Sequence, residues 1–331
     1  MPKVLITGTA GLFGNNFSRY LLKKGYEIIG IDNFSGGYKE DIHSSIKQYN
    51  ANITDQEIIN KIFKKEKPEI VFHFAAYAAE GLSHYIRKFN YENNLIASIN
   101  LINACINNDV RKIIFTSSMA TYGECHTPPF HEEMQPCPID PYGVAKYATE
   151  LDLKNANVHF GLDYSIIRPH NVIGKYQNIW DKYRNVIGIW IRQALNREPI
   201  TIFGDGLQKR AFSDISFCLE PMEKLINCCS TEIFNIGSDK PIEIIEAAKI
   251  LQRCAKNFGY NTDIVLLDER KEAKFAYSDH SKARKMLDFH DNTNLEEVIN
   301  EMLEWALVQP KREIKNMKYE IEKEMYSFWK H

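Results

Sequence analysis

Short apolar runs alternate with longer amphipathic stretches through the first half of the chain. Residues 4–7 are the first such run; a glycine-rich turn follows, and a helical pattern then extends over about 15–24. Residues 28–31 are a second apolar run, ending at Asp32. Beyond it, 56–66 read as an amphipathic helix, 69–74 as a strand, 90–108 as a long helix, 112–117 as a strand, 142–159 as a helix and 163–168 as a strand. Strands that alternate with helices imply a parallel sheet with crossover helices. The strand runs lack a clean polar–apolar alternation, which is the pattern produced when both sheet faces are covered. The fold class expected is α/β, with helices on both faces of a parallel sheet.

The second half is more mixed. Residues 185–195 read as a helix, 200–204 as a strand closed by Gly204-Asp205-Gly206, and 215–228 as a helix disturbed by Pro221. Glu232–Ile236 reads as a strand, and 242–257 and 293–307 as helices. The division expected is a main domain over 1–170, a smaller mixed α/β capping lobe over 171–310 with some elements returning to the main sheet, and a peripheral helix or tail over 311–331.

Composition narrows the picture. The chain has 331 residues, 44% of them hydrophobic, which supports a full core. With 41 basic and 43 acidic residues the net charge is −2, so no general pull toward nucleic acid or anionic lipid is expected. No apolar run approaches the roughly 18 residues of a membrane helix, and no secretory h-region follows Met1. A cytoplasmic location is expected. The seven cysteines are odd in number and include no CxxC. They are expected to be free thiols in a reducing compartment, mostly small core hydrophobes. No HExxH and no compact ligand cluster occurs, so no metal is expected.

Gly8, Gly11 and Gly14 give the first candidate chemistry. The loop follows a strand and opens a helix, the context in which such spacing cradles a dinucleotide. Gly8 serves the tight turn, Gly11 the close approach of a pyrophosphate, and Gly14 the packing of helix on strand. The helix N-terminus then offers N–H groups to the phosphates. Asp32 ends the second strand, 18 residues past Gly14. A carboxylate there accepts hydrogen bonds from ribose hydroxyls and repels a 2′-phosphate, favouring NAD over NADP.

Tyr142 and Lys146 lie four apart on one helix, so both project from the same face. An ammonium beside a phenol lowers the phenol pKa, which suits Tyr142 to remove a proton from a hydroxyl. Ser118 follows a strand end and is placed to orient the reacting hydroxyl, with Thr121 a second candidate.

Taken together, Gly8-x-x-Gly11-x-x-Gly14, Asp32, Ser118-Met119-Ala120-Thr121-Tyr122-Gly123, Tyr142-x-x-x-Lys146 and Arg168-Pro169-x-Asn171-Val172-x-Gly174 resemble the extended short-chain dehydrogenase/reductases of the NAD-dependent epimerase/dehydratase family, most of all the UDP-glucose 4-epimerase-like enzymes. The resemblance covers about residues 3–308. It implies a Rossmann-type NAD-binding domain, a nucleotide-sugar-binding lobe and a homodimer. It also implies roles: Tyr142 as base, Lys146 as its partner and Ser118 as the serine of the triad. Leu12 and Phe13 fall in the glycine loop; Asn33, Phe34 and Ser35 resemble the loop around the adenosine ribose. Asn52 and Ile53 stand where relatives carry Asp-Ile near the adenine. His73-Phe74-Ala75-Ala76 resembles the segment beside the cofactor, and Asn94 an asparagine supporting its pocket. Asn171, Asn185 and Val186 resemble residues near the sugar and its diphosphate, and Arg210 and Arg270 two phosphate-binding arginines. Surface ion pairs of Arg210 with Asp214, and of Arg270 with Glu272 or Asp268, are the alternative reading.

Departures shape the expected reaction. Ser118-Met119-Ala120 stands where family dehydratases carry Thr-Asp-Glu, so dehydration is disfavoured. The stretch 77–87 is unlike the usual loop, and Glu80 and His84 in it either face the sugar or form a solvated helix face. Residues 175–184, with Trp180 and Tyr183, also depart from the family pattern. The expected activity is NAD-dependent epimerisation of a nucleotide-diphosphate sugar at C4 through a 4-keto intermediate. A nucleotide-sugar 4-dehydrogenase or ketoreductase, and a non-catalytic NAD-binding regulator, are the alternatives.

Overall fold

The computed structural model of the protein describes residues 2–228, 230–270, 272–314 and 316–329. Its centre is a seven-stranded sheet. The strands β1 (Lys3–Thr7), β2 (Glu27–Asp32), β3 (Lys47–Asn50), β4 (Ile70–His73), β5 (Lys112–Thr116) and β6 (Asp163–Pro169) are joined by a last strand, Glu232–Ile236, beside β6. From one edge the order is β3, β2, β1, β4, β5, β6, Glu232–Ile236, and every neighbouring pair is parallel. The order reverses at β1, whose neighbours are β2 and β4, so a crevice opens at the carboxyl ends of those strands.

Helices cover both faces. On one face α2 (Gln56–Glu66), α5 (Ala97–Asn107) and α6 (Pro141–Phe160) bury residues such as Phe63, Leu101 and Leu153 against the sheet. On the other, α1 (Leu12–Lys23), α8 (Ile215–Lys224) and α10 (Ser281–Leu287) pack through Phe17, Met222 and Leu287. Between β4 and α5 the chain makes α3 (Glu80–Ser83), α4 (Arg87–Tyr91) and one π-helical turn, Glu92–Ile96. The second lobe packs α7 (Val186–Leu195), α9 (Ile244–Asn257) and α11 (Leu295–Leu307) around Trp190, Leu251 and Met302. Its short strands lie outside the main sheet: Ile200–Phe203 with Ile264–Leu267, and Lys209–Ala211 between Pro241–Glu243 and Phe275–Ala276.

Local signals explain why α6 starts where it does. Asp140 caps it by accepting the Gly143 N–H (2.9 Å), and Pro141 occupies the first turn. Gly161 ends it in the left-handed region, φ 71°. Within the helix, Glu150 and Arg168 of β6 form a buried ion pair, at 2.9 and 2.5 Å, and Ser117 Oγ donates to the same carboxylate at 2.5 Å. Side chains of both partners are at most 1% exposed.

Of the two forms left open for 311–331, the described part is an irregular tail with one 3₁₀ turn at Ser327–Trp329, packed on the body through its aromatic side chains. One expectation is corrected. The cysteines are not all free. Cys125 and Cys137 are joined, with Cα atoms 6.2 Å apart. The Cys137 N–H bond to Thr121 O (2.9 Å) draws these loop ends together, a proximity that sequence spacing does not reveal. Cys105, Cys218 and Cys254 are buried thiols.

Substituting Glu150→Gln leaves the Arg168 guanidinium without its counter-charge in the interior. Urea unfolding should show a loss of about 3 kcal/mol, the range for a broken buried pair. A stability equal to the parent would show that the pair contributes nothing.

Candidate active site

The crevice at the carboxyl ends of β1, β2 and β4 is a cavity of about 360 Å³. Gly8, Gly11, Leu12, Phe13 and Gly14 line one side of it, and Asp32, Asn33, Ser35, Asn52, Ile53, Phe74, Ala75 and Ala76 line others. Gly8 has φ 74°, and a Cβ there would meet Ala75 N at 2.8 Å. A Cβ on Gly14 would lie 2.1 Å from Gly8 O, so loop and helix are locked together only without side chains. The first N–H groups of α1, which lack intrahelical acceptors, open on this space.

Asp32 is held rather than free. Its Oδ2 accepts the Ala10 N–H (2.9 Å) and its Oδ1 the Phe34 N–H (2.7 Å). Burial raises its pKa, and these two N–H bonds oppose the rise. Each carboxylate oxygen keeps lone-pair capacity for a further donor, so the residues fit a dinucleotide whose ribose diol meets Asp32. Phe34, expected in the loop around the ribose, and Asn94, expected to support the pocket, do not line the crevice. Phe34 contributes its backbone N–H to Asp32 at φ 56°. Asn94 is buried behind the wall, where its side chain exchanges hydrogen bonds with the Tyr77 backbone at 2.8 and 3.1 Å. His73 is likewise structural: it bridges Thr7 (2.8 Å) and Ser98 (2.9 Å), and burial pushes its pKa down to about 3, so it stays neutral.

Ser118, Tyr142 and Lys146 meet in the same crevice. The Ser118 hydroxyl accepts the Ala120 N–H at 3.1 Å and lies close enough to the Tyr142 phenol to favour its ionised form. Lys146 Nζ donates to Thr116 O at 2.7 Å and lies 5.7 Å from the centre of the Tyr142 ring. The electrostatics differ from the expectation of a lysine-acidified phenol. Burial raises the Tyr142 pKa, the Glu80 charge raises it further, and Ser118 and Arg184 pull it down. Lys146 is itself pushed down to about 7 by burial, with Glu150 opposing the shift. The reason is that α6 buries both groups together, at 5% and 2% exposure, so desolvation outweighs their mutual proximity. Thr121 is no substitute for Ser118: its hydroxyl donates to Ser118 O at 2.9 Å.

A second cavity of about 290 Å³ adjoins the crevice. Ala78, Glu80, Asn171, Arg184 and Val186 line both and so mark their junction; Asn185 lines the inner one. Asn171 and Asn185 have φ 42° and 61°, left-handed conformations that asparagine tolerates. Glu80 shows surface to the cavities while protein surrounds it, and burial followed by the Asp140 charge raises its pKa well above the usual carboxylate range. His84 lines the outer cavity and favours the charged form of Asp140. Arg210 and Arg270 line it too. Arg270 makes the ion pair with Glu272 that the alternative reading named, at 2.9 Å, whereas Arg210 pairs not with Asp214 but with the same Glu272, at 3.8 Å.

Arg184 is the site residue that motif reading missed. It comes from the atypical 175–184 stretch, pairs with Asp181 (2.8 Å) and lies 4.4 Å over the Tyr77 ring. The Asn178 side chain donates to Gly36 O (3.2 Å) and docks the same stretch on the ribose loop. A lone arginine beside Asn185 was the only sequence signal, and nothing in periodicity separates it from a surface charge. No cluster of three or more His, Cys, Asp or Glu suited to a metal occurs among the described residues, and no helix there is long and apolar enough to cross a membrane.

Residues 4–237 match the NAD-dependent epimerase/dehydratase family. A putative UDP-glucose 4-epimerase of Methanocaldococcus jannaschii is 31% identical over 304 residues, covering 91% of this chain and 97% of that protein. A UDP-glucuronate 4-epimerase of Thermodesulfobacterium geofontis is 28% identical over 319 residues, covering 92% and 96%. Among solved structures, the UDP-glucose 4-epimerase of Thermotoga maritima with UDP-glucose has a TM-score of 0.86 at 31% identity, covering 92% of this chain and 98% of that one.

The depressed Lys146 sets a pH dependence of stability. Between its unfolded pKa near 10.5 and its folded value of about 7, the unfolded chain binds the proton more strongly, so folding is penalised increasingly as pH falls through that window. Lys146→Met removes the group. The stability of Lys146→Met relative to the parent should therefore rise steadily from pH 10 to about 7 and level off below, read by denaturant midpoints. A difference independent of pH would contradict the assignment.

Proposed function

The chain belongs to the NAD-dependent epimerase/dehydratase family, and on that premise we propose that it inverts C4 of a nucleotide-diphosphate sugar through a transient 4-keto sugar. One observation carries the reading. Ser118, Tyr142 and Lys146 converge in the crevice lined by the glycine loop and Asp32, which opens on a second cavity lined by Arg184, Arg210 and Arg270.

When bound, NAD supplies the acceptor and donor of the C4 hydride. The chain's own residues do the rest. Gly8, Gly11, Gly14, Asp32 and the loop over 33–35 position the dinucleotide, with Asn52, Ile53, Phe74, Ala75 and Ala76 along its walls. Ser118 orients the sugar hydroxyl and the Tyr142 phenol. Tyr142 takes the hydroxyl proton and later returns it to the 4-keto oxygen. To take that proton Tyr142 must first lose its own to solvent; burial and Glu80 oppose this ionisation, while Ser118, Arg184 and the positive nicotinamide that NAD would bring favour the phenolate. Lys146 stays anchored to Thr116 O one helical turn from Tyr142.

Arg210 and Arg270 grip the diphosphate in this reading, and Glu272 yields its place between them to phosphate. Asn171, Asn185 and Val186 sit where the sugar and its first phosphate meet the crevice. Held by its diphosphate, the keto sugar turns over and presents its other face.

The partner includes a second copy of the chain. Val144, Leu151 and Val158 recur every seven residues along α6 and are 39%, 47% and 79% exposed, with Ile96 nearby in sequence to α5 at 51%. Such an apolar stripe suits pairing of α5 and α6 across a two-fold axis. Light scattering should give a dimer for the parent and a monomer for Leu151→Glu; a monomeric parent overturns this arrangement.

The reaction is tested by incubating the NAD-loaded protein with UDP-glucose, UDP-N-acetylglucosamine and UDP-glucuronate without external oxidant. Epimer should accumulate with no lasting absorbance of reduced cofactor. A single stalled turnover with reduced cofactor present would establish a dehydrogenase instead. Tyr142→Phe should lower turnover by at least about a hundredfold, the scale of a lost general base, while retaining bound NAD. Unchanged turnover would remove Tyr142 from its role.

A further inference from the structure

The outer cavity owes one wall to a part of the chain that lies beyond the family match, which ends at residue 237. Residues 316–329 run across the body and are fastened throughout. The Met317 N–H donates to the Tyr183 hydroxyl (3.1 Å), Tyr183 and Tyr319 share a hydroxyl–hydroxyl bond (2.8 Å), and Tyr319 donates to Trp329 O (2.8 Å). The Glu320 carboxylate accepts the Lys88 and Phe89 N–H groups at the start of α4, at 2.7 and 2.8 Å. Tyr85 accepts the Glu320 N–H at its carbonyl (2.8 Å) and donates its hydroxyl to Glu324 O (2.9 Å). Met325 and Trp329 are buried against Leu82 of α3, so the tail also braces the turn that carries Glu80.

Three tail rings reach the cavity: Tyr326, Phe328 and Trp329. Phe328 meets Phe203 edge to face at 5.8 Å, and Tyr326 approaches the same ring at 6.1 Å. Arg270 lies 4.2 Å over Phe203. The chemistry is therefore ordered. Glu80 stands at the junction within electrostatic reach of Tyr142 on one side and of Arg210 and Arg270 on the other. Phe203 packs against Arg270, and Tyr326 and Phe328 pack against Phe203, while Trp329 stands nearer the junction, beside Gly81. A nucleotide-diphosphate sugar is a chain in the same order: sugar, diphosphate, ribose, base. With its sugar hydroxyl at Tyr142 and its diphosphate on the arginines, its flat base reaches Phe203 and the tail.

We propose that residues 317–329 form the base-recognition wall of the substrate site, with Phe328 the ring that packs against the nucleobase. This rests on the nucleotide-sugar reading given above. Aromatic faces hold a heteroaromatic ring by stacking, whatever hydrogen bonds its edge makes. The wall thus contributes affinity for the nucleoside end and little to the step at C4, and Tyr326 and Trp329 act by holding Phe328 in place.

The test measures UDP binding to the NAD-loaded protein by calorimetry, beside steady-state kinetics with UDP-glucose. Phe328→Ala should weaken UDP about tenfold, the scale of one lost base stack, and raise KM far more than it lowers kcat. Phe328→Trp should restore both, and the melting temperature of each variant reports whether it folds as the parent does. A chain lacking residues 316–331 should lose UDP affinity at least as far; if it does not fold, the Phe328 pair decides. A parent that does not bind UDP, or a Phe328→Ala protein that binds it as tightly as the parent, overturns the proposal. So does a fall in kcat with UDP affinity intact, which would make the tail a brace for Glu80 alone. Tail-dependent UDP binding without epimerisation of any sugar leaves the wall standing and removes the proposed reaction.

Discussion

The buried pair of Glu150 and Arg168 is the constraint on which the site depends. Tyr142, Lys146 and Glu150 follow one another at intervals of four on α6, so they form one stripe facing the sheet. At the far end of that stripe Glu150 is tied to β6 through Arg168 and to the loop after β5 through Ser117. The helix bearing the phenol and the loop bearing Ser118 are therefore anchored to one carboxylate. An apolar pair would pack there equally well, but only a directional network sets the rotation of α6 over the strand ends. Apolar contact resumes just beyond, at Leu153 and Ala156.

Enclosure is the second organising fact. Burial raises Asp32, Asp140, Glu80 and Tyr142 and lowers Lys146. Every one of these groups is thereby biased toward its neutral form in the protein alone. Charge introduced by a substrate or cofactor meets little competing water, so each such charge acts strongly on the proton affinities around it. The arginines at the junction and in the outer cavity are the fixed counter-charges, and each already holds a carboxylate: Asp181 on Arg184, Glu272 on Arg210 and Arg270. Binding an anionic ligand is then an exchange of anions rather than the neutralisation of bare cations.

The two lobes contribute different side chains to the joined cavities: the sheet domain carries Ser118, Tyr142 and Lys146, and the second lobe Arg210, Arg270 and Phe203. Segments from outside the regular elements join them: the 175–184 stretch brings Arg184 over Tyr77, and the tail closes the outer side. Asn94 has its part here as well. It fixes the Tyr77 backbone, Tyr77 carries the Arg184 guanidinium, and the π-helical turn in which Asn94 sits accommodates that aim.

By itself the sequence determined the elements of the sheet domain. Helix 56–66 and strand Glu232–Ile236 were readable to the residue, and the glycine loop, Asp32, Ser118 and the Tyr142–Lys146 pair were identifiable, because each is governed by local periodicity or by spacing within one turn. Less legible were the short strands Lys47–Asn50 and Lys209–Ala211, whose residues carry no apolar alternation and which exist only through their neighbours. Tertiary structure alone decided that Arg184 reaches the crevice, that Cys125 meets Cys137 and that an irregular tail walls the outer cavity. It also decided that Tyr142 is raised rather than acidified. Local pattern records which face of an element is apolar. Proton affinity and long-range contact depend on what every other element excludes from the same space, and that is set only when the chain is packed.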